Sequence, residues 1–456
     1  MKRLSTLDTA FLLLEKRQQP MHVAGLQLFK FPKDAPRDFL QQLVDEFRNV
    51  ESIRPPFNQR VVWRMGQAFW DEDPYFDLEH HFRHSALPKP GRVRELLDLT
   101  SRLHSNLLDR SRPLWSSRLI EGLQGRRFAM YNKIHHSVVD GVAAMRLGQS
   151  ALTEDPNARG LLPMWAKNPA DRRKPSRGNA VERVIKAGAP ALSLGGITEQ
   201  IGMARGVAGR VVEAMRGGDG AVSPFETPRC MLNVPITASR RFAAQSYSLT
   251  RIKAVGKALD CTVNDIVLAM CAAALRQYLL SLNALPAKSL TAMVPVSVRP
   301  EGTEGGNQIA MILANLGTNL ADPLDRIEVI RASMQAGKDR FSQMSQPEII
   351  AYTILSSLPS TLNLALGLAP ERQRYNLVIS NVPGPKKALY WNGAELEGMY
   401  PVSIPTDGQA LNITCTSYQD SLDFGLTACS RTVPSVQRML DMLEDALKEL
   451  ERVARA

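Results

Sequence analysis

The chain has 456 residues, 44% of them apolar and 22% charged, with a formal net charge of +11 and an isoelectric point near 9.5. That length exceeds one compact core and fits two domains with a connection, and the apolar fraction is enough to bury both cores. The charge calls for an anionic partner: nucleic acid, an acidic membrane surface or a phosphate-bearing substrate. Without zinc-finger spacing, a helix-turn-helix cue or an aromatic RNA-binding box, no nucleic-acid partner is expected.

At the start, Met1-Lys2-Arg3-Leu4-Ser5 leads to the short apolar run Phe11-Leu12-Leu13-Leu14, which Glu15-Lys16-Arg17 ends. No cleavage-like segment follows, so no secretory signal is expected. No uninterrupted apolar stretch reaches the roughly 20 residues that span a bilayer, so no transmembrane helix is expected and contact with lipid is peripheral. Cys230, Cys261, Cys271, Cys415 and Cys429 are odd in number and lack paired spacing, which argues for a reducing cytosol rather than a disulfide framework.

Residues 23–29 alternate like a strand, and 38–53 read as an amphipathic helix stopped by Arg54-Pro55-Pro56. A strand at 60–64 precedes the segment 75–84, whose His80, His81 and His84 are expected to line a surface or a channel wall. Helix 92–106 leads through Arg110-Ser111-Arg112-Pro113-Leu114-Trp115 into a strand reaching Ile120, then come a strand at 127–134 and a helix at 141–152. This is a mixed α/β layer domain over residues 1–154.

Residues 155–226 form a connector punctuated by Pro156, Pro163, Pro169 and Pro175, with the basic run Arg172-Arg173-Lys174. Its helical segment 181–215 is broken by Pro190 and Gly195-Gly196 and mixes small and apolar residues with Arg183, Lys186, Arg205 and Arg210. Such a segment either crosses over and packs on both domains or lies on anionic headgroups; its Gly and Ala content weakens a membrane-binding face and favours packing.

The second domain, 227–456, alternates again. Strands are expected at 240–249, 289–298, 308–316, 375–380, 410–418 and 422–428, and helices at 249–258, 263–280, 325–344, 347–368 and 434–453. Thr262 is placed to cap the helix that Asn264 and Asp265 open.

One stretch concentrates the chemistry: His135-His136-Ser137-Val138-Val139-Asp140-Gly141, between the strand at 127–134 and the helix at 141–152. A side chain at such a junction can project into a cleft from a rigid backbone, as a general base must. One imidazole can face the cleft and its neighbour the interior. Asp140 is close enough to stabilise the turn or hold a distant cation, and Gly141 permits a sharp bend or close approach.

This HHxxxDG pattern resembles the signature of the coenzyme-A-dependent acyltransferase superfamily, which includes chloramphenicol acetyltransferase and the condensation domains of peptide synthetases. Further blocks narrow the resemblance: Leu7-Asp8-Thr9-Ala10-Phe11, Pro113-Leu114-Trp115, Val263-Asn264-Asp265-Ile266-Val267-Leu268, and the run from Asn376-Leu377-Val378-Ile379-Ser380-Asn381 through Val382-Pro383-Gly384-Pro385. In order and separation they look like the bacterial bifunctional wax ester synthase/diacylglycerol acyltransferases, across essentially the whole chain. The resemblance implies an α/β fold class: two pseudo-related chloramphenicol-acetyltransferase-like sandwich domains with mixed sheets and an interdomain active-site channel.

It also implies roles. His136 is the general base that takes the hydroxyl proton of a long-chain alcohol, or of diacylglycerol, as the oxygen attacks the thioester of a long-chain acyl-coenzyme A. His135 orients the loop, and Asp140 is structural, fixed by an arginine of the other domain for which Arg299 is the candidate. Asn264 and Asp265 shape the site besides capping, and Ser380 and Asn381 face the channel or satisfy a turn; Trp115, by its own side chain, reads as a buried packing anchor. No cofactor beyond the acyl-coenzyme A co-substrate is implied, and contact with an anionic inner-membrane or lipid-inclusion surface is peripheral. A metal is not expected, because neither His136 with Asp140 nor His80 with His84 supplies a full ligand set. With no Gly-x-Ser-x-Gly elbow, direct transfer is preferred over an acyl-enzyme. The alternatives are a related enzyme acting on another hydroxyl or amine, and a non-catalytic lipid-droplet binding protein.

Overall fold

Two strands buried on nearly every position form the centre of the first half. His22–Lys30 leaves only Gly25 and Lys30 partly open, and Arg127–His135 only Arg127 and Asn132. They pair antiparallel with His22 opposite His135, and layers cover both faces. The computed structural model describes residues 1–139, 141–167, 222, 227–297, 309–342, 344, 349, 352 and 374–455.

Within these residues the first half runs β1 (Lys2–Arg3), α1 (Thr6–Leu14), β2 (His22–Lys30), α2 (Phe39–Arg48), β3 (Gln59–Arg64), β4 (Gln67–Glu72), α3 (Leu78–His81), β5 (Phe82–Ala86), α4 (Val93–Ser105), β6 (Trp115–Leu123), β7 (Arg127–His135) and α5 (Gly141–Gln149). The second half runs β8 (Arg240–Ser248), α6 (Leu249–Ala258), α7 (Val263–Ser281), β9 (Thr291–Ser297), β10 (Ile309–Asn315), α8 (Pro323–Ser342), β11 (Leu377–Val382), β12 (Tyr390–Trp391), β13 (Ala394–Val402), β14 (Leu411–Tyr418), β15 (Ser421–Cys429) and α9 (Arg438–Val453). The expected connector helix 181–215, the run Arg172-Arg173-Lys174, Asp140, Arg299 and nearly all of the expected helix 347–368 lie outside the described residues.

Both main sheets are mixed. One has the order β12-β13-β2-β7-β6-β5 and the other β10-β9-β11-β14-β15-β8, with β5 parallel to β6 and β11 parallel to both β9 and β14. A smaller sheet, β1-β4-β3, lies beside α1, where Leu4, Leu12, Ala68, Trp70, Leu108 and Leu114 share a core. In the second half α7 is buried almost all round, and Thr262 caps it in a reciprocal box with Asp265. It is the one helix among the described residues long and apolar enough to cross a bilayer, yet two-thirds of it is buried in the protein, as in a core helix.

The two halves are laced together in ways the sequence pattern does not reveal. β13, from the C-terminal segment, leaves its own half and pairs antiparallel with β2, Tyr400 opposite Leu26. The segment 227–456 is therefore not confined to one sheet. Asp423 of β15 accepts the Met399 N–H at 2.7 Å, and Thr427 Oγ1 accepts the Ser403 N–H at 3.1 Å, so the crossing strand is held on both sides. On α4, Ser101 and Ser105 accept the N–H groups of Phe242 and Arg240 at 2.9 Å each, which satisfies the free edge of β8. Among the described elements β1, α1, β4, α3, β5, β12 and β13 were not expected; β1 and β12 are two-residue strands, too short to show a period.

Candidate active site

The histidine pair ends β7 and is held from both sides by backbone. His135 N–H donates to Leu114 O at 3.0 Å and His136 N–H to Met21 O at 2.8 Å, so the strands flanking β7 fix the exit of the chain. Val138 N–H closes a turn onto His135 O at 2.9 Å. The Pro113-Leu114-Trp115 block thus supplies a carbonyl to the loop as well as an anchor: Trp115 is buried and its indole N–H donates to Phe57 O at 2.8 Å.

The two imidazoles have different surroundings. His135 is completely buried; its Nδ1 accepts the Ser137 N–H at 3.1 Å and lies 2.7 Å from Ser137 Oγ. With Nδ1 accepting, the proton sits on Nε2, which faces Glu15 Oε1 at 3.5 Å, the outer limit of a hydrogen bond but well within electrostatic reach. His136 is only partly buried, and its ring stacks on Phe11, centroids 4.2 Å apart and 22° from parallel.

Glu15 caps the C-terminus of α1 with its side chain turned inward, 2% exposed. Burial pushes its carboxyl upward, but His135, the Met21 N–H at 3.0 Å and Arg110 Nε at 2.9 Å outweigh that and hold it below the usual value. Next to it on β7, Lys133 is buried with Nζ donating to Leu103 O and Asn106 O at the end of α4, 2.9 and 2.8 Å away. Burial lowers Lys133 to about 7 and His104 to about 3, and it pushes His22 well below its usual value.

Of the residues singled out from the sequence, His135 and His136 stand together as expected, while Asp140 and Arg299 are outside the described residues. Gly141 opens α5 directly after Asp140. Asp265 is occupied by capping: its carboxylate accepts Thr262 N–H and O–H at 3.0 and 2.6 Å. Neither it nor the half-buried Asn264 has a hydrogen bond to the histidine loop among the described residues. Ser380 and Asn381 lie half-buried near the end of β11, opposite Thr414 and Cys415, leading into the turn where Gly384 N–H meets Ser417 Oγ at 3.0 Å.

His81 departs from expectation. It is a core histidine rather than a wall or surface residue, its Nδ1 2.9 Å from Trp115 O and its ring stacked on Trp115 and Phe76. Burial lowers it to about 4. Phe11, Glu15 and Arg110 were missed as partners of the histidines. The signal was present: Phe11 and Glu15 are four apart and share a face once 6–14 is read as a helix.

Chemically, an imidazole at a fixed strand end, backed by a second imidazole with a buried carboxylate, is suited to accept and return a proton. Two family models match the chain: the wax ester synthase/diacylglycerol acyltransferase catalytic domain over residues 4–267 and the WS/DGAT C-terminal domain over 305–451. The chain is 47% identical to O-acyltransferase WSD of Acinetobacter baylyi over 99% of its length and 98% of the relative's. It is 45% identical to a putative diacylglycerol O-acyltransferase of Mycobacterium tuberculosis, covering 98% and 99% of the two chains. Among solved structures, a wax ester synthase/diacylglycerol acyltransferase from Marinobacter aquaeolei superposes with a TM-score of 0.82 at 48% identity, each chain fully covered. The starter condensation domain of rhizomide synthetase, at 13% identity and a TM-score of 0.59, covering 100% of this chain and 94% of the other, shares the fold.

Proposed function

The chain belongs to the wax ester synthase/diacylglycerol acyltransferase family and is an O-acyltransferase; from that premise we propose how its residues move a long-chain fatty acyl group from acyl-coenzyme A to a long-chain alcohol, giving wax ester, or to diacylglycerol, giving triacylglycerol. His136 is the general base. It takes the acceptor's hydroxyl proton while the oxygen attacks the thioester carbonyl; the tetrahedral intermediate then expels the thiolate of coenzyme A, which takes the proton back from the imidazolium. Acyl donor and acceptor meet in a channel between the two sheets, and no covalent acyl-enzyme forms.

The observation that carries this assignment is the unequal burial of the two rings. Both nitrogens of His135 face protein groups, Ser137 and Glu15, inside the core, whereas His136 retains access to solvent. Only the second ring can therefore meet a substrate hydroxyl. Arg299 as the partner of Asp140 belongs to the same proposal. The test is thiol release from palmitoyl-coenzyme A with and without hexadecanol, with ester detected by thin-layer chromatography. Release that depends on the alcohol supports the reading; binding without release overturns it in favour of a lipid-binding protein.

Peripheral contact with an anionic membrane or lipid inclusion is the finer part of the proposal. The net charge of +11 supports it, as does the turn between β3 and β4, where Met65 is fully exposed and Trp63 is 48% exposed beside Arg64. Exposed apolar side chains next to a cation suit an anionic interface. Sedimentation with phosphatidylglycerol vesicles should fall as salt rises, since exposed charges are screened over about 8 Å at physiological ionic strength. Absence of sedimentation at low salt refutes the contact.

A further inference from the structure

We propose that α1 is a positioning element of the catalytic loop, in which Phe11 and Glu15, one turn apart on its inner face, fix the rings of His136 and His135. The inference rests on His136 being the base. Residues four apart on a helix lie one above the other, and here they meet consecutive residues of the loop: Phe11 against the His136 ring at 4.2 Å, Glu15 against His135 Nε2 at 3.5 Å.

Docking a helix needs only apolar contact, and Leu12, 3% exposed in the core shared with Leu4 and Trp70, already supplies it. A carboxylate turned inward is a cost unless donors surround it. Two donate to it, from two separate segments, and His135 faces it from a third. Arg110 reaches Oε2, while Oε1 faces both the Met21 N–H and His135 Nε2. Met21 in turn accepts the His136 N–H through its carbonyl. One carboxylate therefore ties the side chain of the first histidine and, through one residue, the backbone of the second. Since Ser137 N–H occupies Nδ1 of His135, the carboxylate also selects the tautomer with the proton on Nε2.

The other titratable groups facing this cluster do not displace Glu15. Lys133 spends its ammonium on the carbonyls of Leu103 and Asn106, and His22 directs Nε2 to His104 O at 2.9 Å. Loss of the carboxylate should let the His135 ring turn and slacken the 135–138 turn, moving His136 out of line with the acceptor oxygen without removing any substrate contact.

The full chain is compared with Glu15→Gln, Phe11→Leu and the control Leu13→Ser, which alters the exposed face of α1. For each, kcat and KM for palmitoyl-coenzyme A and hexadecanol, the melting temperature, and 15N spectra of histidine-labelled protein are measured. Because positioned proton transfer contributes about two to four orders of magnitude, Glu15→Gln should lower kcat by about ten- to a hundredfold with KM little changed. The Nε2 resonance of one buried histidine should also shift, because the anion facing it is gone. Phe11→Leu should lower kcat less, and Leu13→Ser not at all. Wild-type kcat in Glu15→Gln, or a change confined to KM, overturns the proposal. If Glu15→Gln does not fold, Phe11→Leu decides, since it leaves the carboxylate in place: wild-type kcat there overturns the proposal. Full activity in His136→Ala would instead sink the assignment of the base.

Discussion

Replacing Gly425 by alanine should separate the crossing strand from the second sheet. Gly425 lies in β15 directly under β13, and a Cβ at that position would sit 1.9 Å from Pro401 O and 3.1 Å from Phe242 Cε2. To reach an ordinary contact of 3.4 Å the Pro401 carbonyl must move about 1.5 Å, and it is backbone, held by the pairing of Pro401 with Gly25. Overpacking of this kind costs about 1–3 kcal/mol. Displacing β13 also strips the Met399 N–H from buried Asp423, and a buried donor left unpaired costs about 1–3 kcal/mol. The combined loss, roughly 2–6 kcal/mol, reaches into the exceptional range for a single substitution. Urea unfolding followed by tryptophan fluorescence measures it. Gly25→Ala, on the facing strand with nothing within 4 Å, is the control and should be neutral or stabilise by up to about 1 kcal/mol. If Gly425→Ala unfolds within about 0.5 kcal/mol of the parent, the close approach of β13 to β15 is wrong.

Three further outcomes follow from the same contacts. His136→Ala should abolish ester formation with little change in melting, while His135→Ala, which opens a cavity beside Glu15, should melt earlier and retain more activity per folded molecule; equal activity losses at unchanged melting contradict the division of roles. Ser101→Ala and Ser105→Ala each leave a backbone N–H of β8 unpaired and should cost about 1–3 kcal/mol apiece in urea denaturation, whereas an effect under about 0.5 kcal/mol in both would show that water replaces the hydroxyls. Glu15 has its carboxyl held below the ordinary 4.5, so the stability it contributes is complete above pH 4.5 and fades as the pH falls through the lowered folded value. The gap in urea midpoint between the parent and Glu15→Gln should therefore close as the pH falls below about 5; a gap unchanged from pH 5 to pH 3 means that the carboxylate is not ionised in the fold.

Much of this protein is written locally. The helices over 249–258 and 263–281, the strands over 59–64, 240–248, 411–418 and 421–429, and the cap at Thr262 follow from side-chain period and capping chemistry, which act between residues a few positions apart. The HHxxxDG stretch and its companion blocks identified the family because they are contiguous runs whose order survives in the sequence. What depended on tertiary structure was choice of partner. Nothing local in Ala394–Val402 says that it abandons its own half for β2; that pairing is decided by the buried edge it completes and by the bare backbone at Gly425 on which it rests. His81 shows the same limit: a histidine has no period of its own, and only the stacking of Trp115 and Phe76 around it makes it a core residue. Glu15 reads in sequence as the charged end of an apolar run. It becomes a partner of His135 because the fold brings together residues 15, 21, 110 and 135, whose N–H groups and guanidinium replace the water a carboxylate would otherwise require.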